Sequence, residues 1–163
     1  MANLPNTPPQ RLDHGDKPAI LRHLLALGPD DRYGRFASAL ADAAIANYVE
    51  KIDFECDLGF GLVDAAGELS GFIHLALYHP QAELAASVRL AARHQGQAKR
   101  LFWAALAAAE MLGIRRVHLA TGHPAALHIA HGLGYRLQTS PTMPRASILM
   151  PALEARVERL LGG

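Results

Sequence analysis

At 163 residues, half of them apolar, the chain is long enough for one domain with a substantial core. Its net charge of +1, with acids and bases interspersed, gives no sign of the basic face that nucleic-acid binding requires. No apolar stretch reaches the roughly 18 residues of a membrane span, and the N-terminus lacks the plan of a signal peptide. With a single cysteine and no internal disulfide, we expect a cytoplasmic protein that binds neither nucleic acid nor a membrane.

The first third of the chain predicts a tail, a short strand and two helices that a polar connector separates. The opening ten residues contain three prolines and two asparagines, which disfavour regular structure. Asp16 is a preferred N-cap residue ahead of a helical apolar pattern, and Gly28-Pro29 stops that pattern. The predicted segments are a disordered tail over 1–10, a strand over 11–14, a helix over 17–27, a connector over 30–36 and a helix over 38–51.

The middle of the chain predicts a hairpin, a central strand and a long helix. Gly67 lies in a short polar turn between two apolar runs, which is typical of a β-hairpin. From Leu84 to Leu90, apolar and polar or small residues alternate with the period of a strand. After a loop, apolar residues recur at helical spacing until Gly113. The predicted segments are strands over 60–63, 69–78 and 82–90 and a helix over 98–112.

The last third predicts a strand, a helix, a closing pair of strands and a final helix. Pro141 and Pro144 mark the loop between the two closing strands, and Pro151 starts the final helix. The main domain is therefore expected over 11–151, and the helix over 152–163 is expected to pack on it or on a partner subunit. The predicted segments are strands over 116–121, 136–139 and 146–150 and a helix over 124–133.

The loop before the long helix, from Arg93 to Ala98, has the features of an anion site. Gly96 and Ala98 carry little or no side chain, so a ligand can approach the backbone there. The first amides of a helix have no partner inside it and lie at the positive end of its dipole. The turn suits a pyrophosphate, although a plain strand-to-helix connection has a similar composition. Lys99 and Arg100 either add charge for phosphates or are simply solvated.

In this order, the segments resemble the acyl-CoA-binding core of the GCN5-related N-acetyltransferases, the GNAT family. The family's loop pattern is Gln/Arg-x-x-Gly-x-Gly/Ala, and Arg93, Gly96 and Ala98 fit it. A helix of the expected length and a strand follow, as the family pattern requires. The resemblance is strong over residues 82–135, about a third of the chain, and depends on the ordered set of segments.

The resemblance continues with two departures. After the strand the family usually has Asn-x-x-Met on a helix that closes with Gly-Phe. Gly134-Tyr135 stands in the Gly-Phe place, but His123 replaces the Asn and Ala126 the Met. The tyrosine that usually protonates the leaving thiolate falls at Ala130, which leaves the general acid open. Tyr135, His128 or His131 could substitute, although a structural role is the better explanation for each.

The resemblance implies a mixed α/β GNAT fold, with a sheet of six or seven strands flanked by about four helices plus a C-terminal helix. It also implies acetyl-CoA as the acyl donor. The loop would bind its pyrophosphate, the end of the central strand would bind its pantetheine arm, and His123 would lie beside that arm. The predicted cofactor-binding residues are Val88, Arg89, Leu90, Arg93, His94, Gln95, Gly96, Gln97, Ala98, Lys99 and His123.

Glu83 is the candidate general base. It lies on the central strand, where many GNAT enzymes place a carboxylate, and its apolar neighbours would partly desolvate it. Alternatively, Glu83 is an exposed strand residue or the partner of an arginine. The implied function is acetyl transfer from acetyl-CoA to a primary amine, on a small molecule or a peptide, by direct attack. The alternative is a non-catalytic or regulatory GNAT-fold module that binds acyl-CoA or a protein partner.

Three further readings concern the remaining polar residues and the chain's assembly. Histidines at 118, 123, 128 and 131 could ligate zinc in a hydrolase, but no carboxylate lies among them and we expect no metal. The final helix makes a homodimer plausible. Acidic residues that either attract a cationic amine or form a solvated surface are Asp30, Asp31, Glu50, Asp53, Glu55 and Asp57.

Overall fold

The computed structural model describes residues 7–120, 123–152, 158, 161 and 162, with all their side chains except those of residues 143 and 144. These residues form one sheet of seven strands and five α-helices. The strands are β1 (Gln10–Arg11), β2 (Leu58–Val63), β3 (Leu69–Tyr78), β4 (Gln81–Val88), β5 (Arg116–Leu119), β6 (Arg136–Ser140) and β7 (Met143–Leu149). The helices are α1 (Lys17–Leu25), α2 (Pro29–Phe36), α3 (Asp42–Lys51), α4 (Gln97–Met111) and α5 (Pro124–Gly132).

The strand order across the sheet is β1-β2-β3-β4-β5-β7-β6. All neighbouring strands are antiparallel except β4 and β5, which are parallel. A parallel pair needs a crossover, and α4 supplies it. The arrangement confirms the predicted α/β class with a mixed sheet of six or seven strands; five helices are described where about four were expected.

Each face of the sheet carries its own apolar core. Successive residues of β3 point to opposite faces, so Ile73 and Phe72 belong to different cores. On one face, α4 buries the residues that recur at helical spacing, among them Leu101, Phe102 and Ala105. The opposite face is covered by α1 and α3, whose buried residues are Ile20, His23, Leu24, Ile45 and Val49.

The two parallel strands part from one another halfway along β4. Their paired register ends where Leu84 faces Leu119, and the Ala120 amide donates to the Leu84 carbonyl at 2.9 Å. β4 continues from there to Val88 beside β3 alone. The chain leaves β5 for α5, which begins at Pro124. An opening therefore lies between the end of β4 and the start of α5.

The segment over 30–36, predicted as a connector, is in fact helix α2. Pro29 occupies its first turn, where a missing amide donor does no harm. Asp30 and Asp31 follow in the same turn, where negative charge complements the helix dipole. The polar composition hid these start signals, because the only buried residue of the helix is Arg35.

Several predicted boundaries also change. Of the tail predicted over 1–10, residues 1–6 lie outside the described residues, whereas the Thr7 carbonyl accepts a bond from Arg100 Nη1 at 2.8 Å and β1 begins at Gln10. The helix predicted over 38–51 begins at Asp42, and the central strand ends at Val88.

The C-terminal part of the prediction is described only partly. β7 begins at residue 143, so the loop predicted over 140–145 is a tighter turn. The helix predicted over 152–163 lies, apart from residues 152, 158, 161 and 162, outside the described residues. None of the helices in the described part of the chain has the length and apolar character to cross a membrane.

Candidate functional site

A cavity of about 490 Å³ fills the opening between β4 and α5. Its walls come from α2, the second half of β4, the loop before α4, the first turn of α4 and the start of α5. Apolar side chains such as Phe102 and Ile129 form its floor together with backbone of β4. Charged side chains from α2 and from the loop lie at its sides: Asp30, Asp31, Arg35, Arg93 and Lys99.

Backbone groups of Ala86 and Val88 face the opening. The Arg89 amide donates to the Ser70 carbonyl of β3 at 2.8 Å. Because hydrogen-bonding sides alternate along a strand, Ala86 and Val88 direct their polar groups away from β3, toward the side that β5 has left. These groups can receive a ligand that lies along β4 as an added strand would.

The same geometry separates the three predicted residues at the end of β4. Val88 lines the cavity, whereas Arg89 and Leu90 are absent from its walls. The Arg89 amide is engaged with β3, and Leu90 is 74% exposed in a short 3-10 turn. Ala86, which sequence analysis did not select, does line the cavity, and its position opposite the gap depends on where β5 ends.

The loop from Arg93 to Gln97 forms a turn around the mouth of the cavity. Gly96 is the N-cap of α4 with a φ of 72°, and no side chain caps the first amides of the helix. Apart from Gly96 itself and its two neighbours in the chain, no atom lies within 4 Å of the position that a Gly96 Cβ would occupy. His94 also has a positive φ of 62°. The turn thus offers free helix amides and open space, which fits a phosphate group.

The side chains of this loop serve different purposes. Gln97 is 8% exposed, and its Oε1 accepts from the Ser70 hydroxyl at 2.7 Å, so only its backbone is directed to the loop. Lys99 and His94 line the cavity, whereas Gln95 is absent from its walls. Arg93 donates through Nε to the Val88 carbonyl at 3.3 Å and forms an ion pair through Nη2 with Asp31 of α2.

Glu83 lies beside the cavity and is absent from its walls. Its Oε2 is 3.4 Å from Arg145 Nη1, and the two side chains are 38% and 56% exposed. The arginine partner that sequence analysis gave as the alternative is therefore present. Ala85, two residues further along β4 on the same face, lines the cavity about 7 Å away. From this place Glu83 can reach a reacting group through water.

Ser87 and His23 form a hydrogen-bonded pair below the cavity. His23 Nδ1 lies 2.9 Å from the Leu69 carbonyl and therefore carries the proton, so Nε2 accepts from the Ser87 hydroxyl at 2.8 Å. Burial lowers the pKa of His23 to about 4, which keeps the ring neutral. Ser87 lines the cavity. Sequence analysis missed this pair because its members are 64 residues apart.

Arg35 is the second polar residue that sequence analysis missed. Its side chain reaches the cavity wall from α2, although only 5% of the residue is exposed. Nη2 donates to the Tyr48 hydroxyl at 2.7 Å, and Tyr48 is bonded in turn to His74 Nδ1. His74 Nε2 bonds Asp57 at 2.9 Å, which completes a polar chain from α2 through α3 and β3 to the residue before β2.

The histidines considered as zinc ligands have separate hydrogen-bond partners. His123 lines the cavity, and its Nδ1 caps α5 by accepting from the Ala125 amide at 3.2 Å. His118 bonds Ser147 and Gln81 at 2.8 and 2.6 Å. Within the described residues, no three His, Cys, Asp or Glu side chains come together as metal ligands. The zinc alternative therefore has no ligand set in this part of the chain.

The residues considered as substitutes for the missing tyrosine do not line the cavity. Ala130 is fully buried in α5, so that position has no polar group to offer. His128 and His131 are exposed, and neither they nor Tyr135 is among the residues lining the cavity. Titratable side chains that do line it, besides those of α2, are Arg93, His94, Lys99 and His123.

Comparison with solved structures finds the same architecture in bacterial acetyltransferases. The GNAT domain of PAT from S. lividans has a TM-score of 0.68 at 18% identity, over 86% of this chain and 87% of that one. A phosphinothricin acetyltransferase from Sinorhizobium meliloti, in complex with AcCoA, has a TM-score of 0.64 at 18% identity, over 91% and 90%. Spermidine N-acetyltransferase from Vibrio cholerae, in complex with CoA and spermine, has a TM-score of 0.64 at 19% identity, over 90% and 96%.

These likenesses establish the fold. No protein-family model and no curated protein sequence matches the chain. The structural agreement spans most of each chain, and at 18 to 19% identity it is an agreement of fold. The chain has the GNAT fold, as the resemblance over residues 82–135 implied.

Proposed function

We propose, from the GNAT fold and the cleft between β4 and β5, that this chain is an acyl-CoA-dependent N-acetyltransferase. Acetyl-CoA is the proposed donor and a primary amine, on a small molecule or a peptide, the acceptor. The solved structures named above include acetyltransferases of phosphinothricin and of spermidine, with AcCoA or CoA bound. The proposal includes a cytoplasmic location, which suits the one unpaired, exposed cysteine, Cys56.

The proposal depends on the cavity that opens where β4 and β5 part. The strands part after Leu84, and the resulting cavity has polar backbone of β4 on one side and an open helix N-terminus at its mouth. A long ligand with amide groups and a pyrophosphate fits that sequence of features. The amides would pair with β4, and the phosphates would meet the turn at Gly96.

Each residue has a proposed part. The loop amides, with Lys99 and Arg93, hold the pyrophosphate, and the backbone of Ala86 and Val88 holds the pantetheine arm. Bound acetyl-CoA supplies an activated acyl group. Glu83 takes a proton from the incoming ammonium through water, which leaves the neutral amine free to attack. A thiolate is a fair leaving group, so the absence of a tyrosine at Ala130 is compatible with turnover.

Isothermal titration of acetyl-CoA tests the donor site. Wild type should bind, Gly96→Glu should not, and Gly96→Gln should keep much of the affinity. Both variants place a side chain of nearly equal size at a positive φ, so backbone strain is shared and only the charge differs. Failure of the wild type to bind would contradict the proposal, and equal losses in the two variants would assign the effect to strain.

Turnover is the second test, because the fold is also compatible with a second candidate, a module that binds acyl-CoA without transferring the acyl group. Thiol release from acetyl-CoA is followed with a panel of primary amines. Glu83 is engaged by Arg145, and Ala130 has no polar group, which favours a GNAT-fold module that binds acyl-CoA without transferring the acyl group. Binding with no thiol release for any amine would support that candidate instead.

A further inference from the structure

Arg35 is a buried cation without a counter-charge in the described part of the chain. The residue is 5% exposed, and none of the ion pairs among the described residues involves it. Its Nε is buried with no acceptor among these residues. The guanidinium carbon lies 4.7 Å from the centre of the Phe36 ring and 5.3 Å from that of Tyr48. Burying a guanidinium without an anion is costly, so its retention beside a cavity points to a ligand.

The polar chain behind Arg35 holds the guanidinium but does not neutralise it. Burial lowers the pKa of His74, so the ring is neutral, with a donating Nε2 toward Asp57 and an accepting Nδ1 toward Tyr48. The Tyr48 hydroxyl therefore donates to His74 and accepts from Arg35 Nη2. Asp57 is two side chains away, and it also accepts from the Leu77 amide at 3.1 Å. The charge of Arg35 remains available at the cavity wall.

Arg35 and the turn at Gly96 belong to opposite faces of the sheet. His74, which Tyr48 links to Arg35, stacks on Phe72, and Phe72 belongs to the core under α1 and α3. The loop before α4 opens from the other face of the sheet, where α4 packs. A donor whose phosphates lie at Gly96 would therefore leave Arg35, on the opposite face of the sheet, free to bind another ligand group.

We propose that the acceptor amine carries a carboxylate, and that Arg35 binds it. A guanidinium matches a carboxylate geometrically, through paired N–H donors. The acceptor class is therefore amino acids or peptides that present a carboxylate near the amine. This assignment rests on the proposed acetyltransferase function.

The first test compares acceptors that differ only in the carboxylate. L-amino acids and their α-amides are offered as matched pairs, and kcat/KM is measured from thiol release. For the wild type we expect the acid of the best pair to be favoured by about tenfold or more, the usual value of a charged hydrogen bond. Arg35→Gln should bring the ratio near one with the acetyl-CoA Kd unchanged, whereas Arg35→Lys should keep part of the preference.

A second measurement does not need turnover. Thermal stabilisation of the wild type by the N-acetylated amino acids should exceed that by their amides, and Arg35→Gln should abolish the difference. Equal stabilisation by both, stabilisation by neither, or an unchanged preference in Arg35→Gln would overturn the role of Arg35. Loss of acetyl-CoA binding by the wild type would overturn the proposed function alone, because the melting comparison still reports on the carboxylate. The melting point of unliganded Arg35→Gln shows whether the variant folds.

Discussion

Asp31 of α2 forms an ion pair with Arg93 of the loop before α4, so one bond joins the two walls of the cleft. The Asp31 and Arg93 side chains are 31% and 34% exposed. Arg93 is also one of the cations proposed to receive the donor's phosphates. In the proposed complex, the Asp31 carboxylate and a phosphate would compete for the same guanidinium, and the ion pair joins the helix that carries Arg35 to the proposed donor site.

Asp31→Asn should strengthen acetyl-CoA binding by up to about fivefold at low salt. A partly exposed ion pair is worth at most about 1 kcal/mol, which sets this limit. The gain should shrink in high salt, because salt screens the charge of the loop. Isothermal titration measures both effects. Asp30→Asn is the matched control, since Asp30 lines the same cavity without pairing with Arg93. Weaker binding by Asp31→Asn would mean that the pair positions Arg93 for the phosphates.

Glu83→Gln should lower kcat/KM for thiol release by about a hundredfold or more, the usual contribution of a general base. The acetyl-CoA Kd should stay constant, because Glu83 is not among the residues lining the cavity. Arg145→Gln removes the ion pair but keeps the carboxylate, so its rate should stay within about fivefold of wild type. If both variants lose activity equally, the pair is structural and the base is another group.

Local pattern was sufficient to predict the hairpin, the central strand and the long helix. The alternation along β4 and the helical spacing along α4 reflect burial on one face, which a sequence records directly. The turn at Gly96 was also predictable, because a glycine just before a helical pattern marks a backbone position that other residues rarely adopt, and its φ is indeed 72°. The predicted loop residues that line the cavity follow from this turn alone.

The proposed acceptor side of the cavity could not be predicted in the same way. Helix α2 presents one buried residue, and that residue is Arg35, which reverses the usual relation between burial and polarity. The backbone groups of Ala86 matter only because β5 ends opposite Leu84, a fact of register between distant segments. The bond between Ser87 and His23 likewise depends on α1 packing over β4.

His23→Gln should remove part of the acid sensitivity of the fold. Burial lowers the pKa of His23 from 6.5 to about 4, so below pH 6.5 the unfolded chain takes up a proton that the folded chain refuses. The free energy of unfolding should therefore fall by about 3 kcal/mol from this residue between pH 7 and pH 4, and no further below that.

Urea unfolding at several pH values measures this contribution. Wild type and His23→Gln share every other titrating group, so the difference between their pH slopes isolates His23. The glutamine amide can still bond the Leu69 carbonyl or the Ser87 hydroxyl, which limits the loss at pH 7. Parallel curves for the two proteins would contradict the assignment of a neutral, buried His23.

Gly71→Ala should both destabilise the fold and disturb the proposed donor site. A Cβ on Gly71 of β3 would lie 2.9 Å from Leu101 Cδ1 and 3.3 Å from Gln97 Oε1, both on α4. Leu101 is fully buried, so its side chain has little room to move aside, and a shift of that side chain or of α4 should cost about 1–3 kcal/mol. Gln97 is the first residue of α4, and a shift there moves the amides proposed to hold the pyrophosphate.

Urea unfolding and acetyl-CoA titration of Gly71→Ala should therefore both change. Gly132→Ala in α5 is the matched control, because no atom lies within 4 Å of the added Cβ and alanine favours a helix. That variant should be as stable as wild type or more so, with unchanged affinity. A stable Gly71→Ala with normal affinity would show that α4 can retreat from β3 without moving the turn at Gly96, and the close approach would then have no part in building the site.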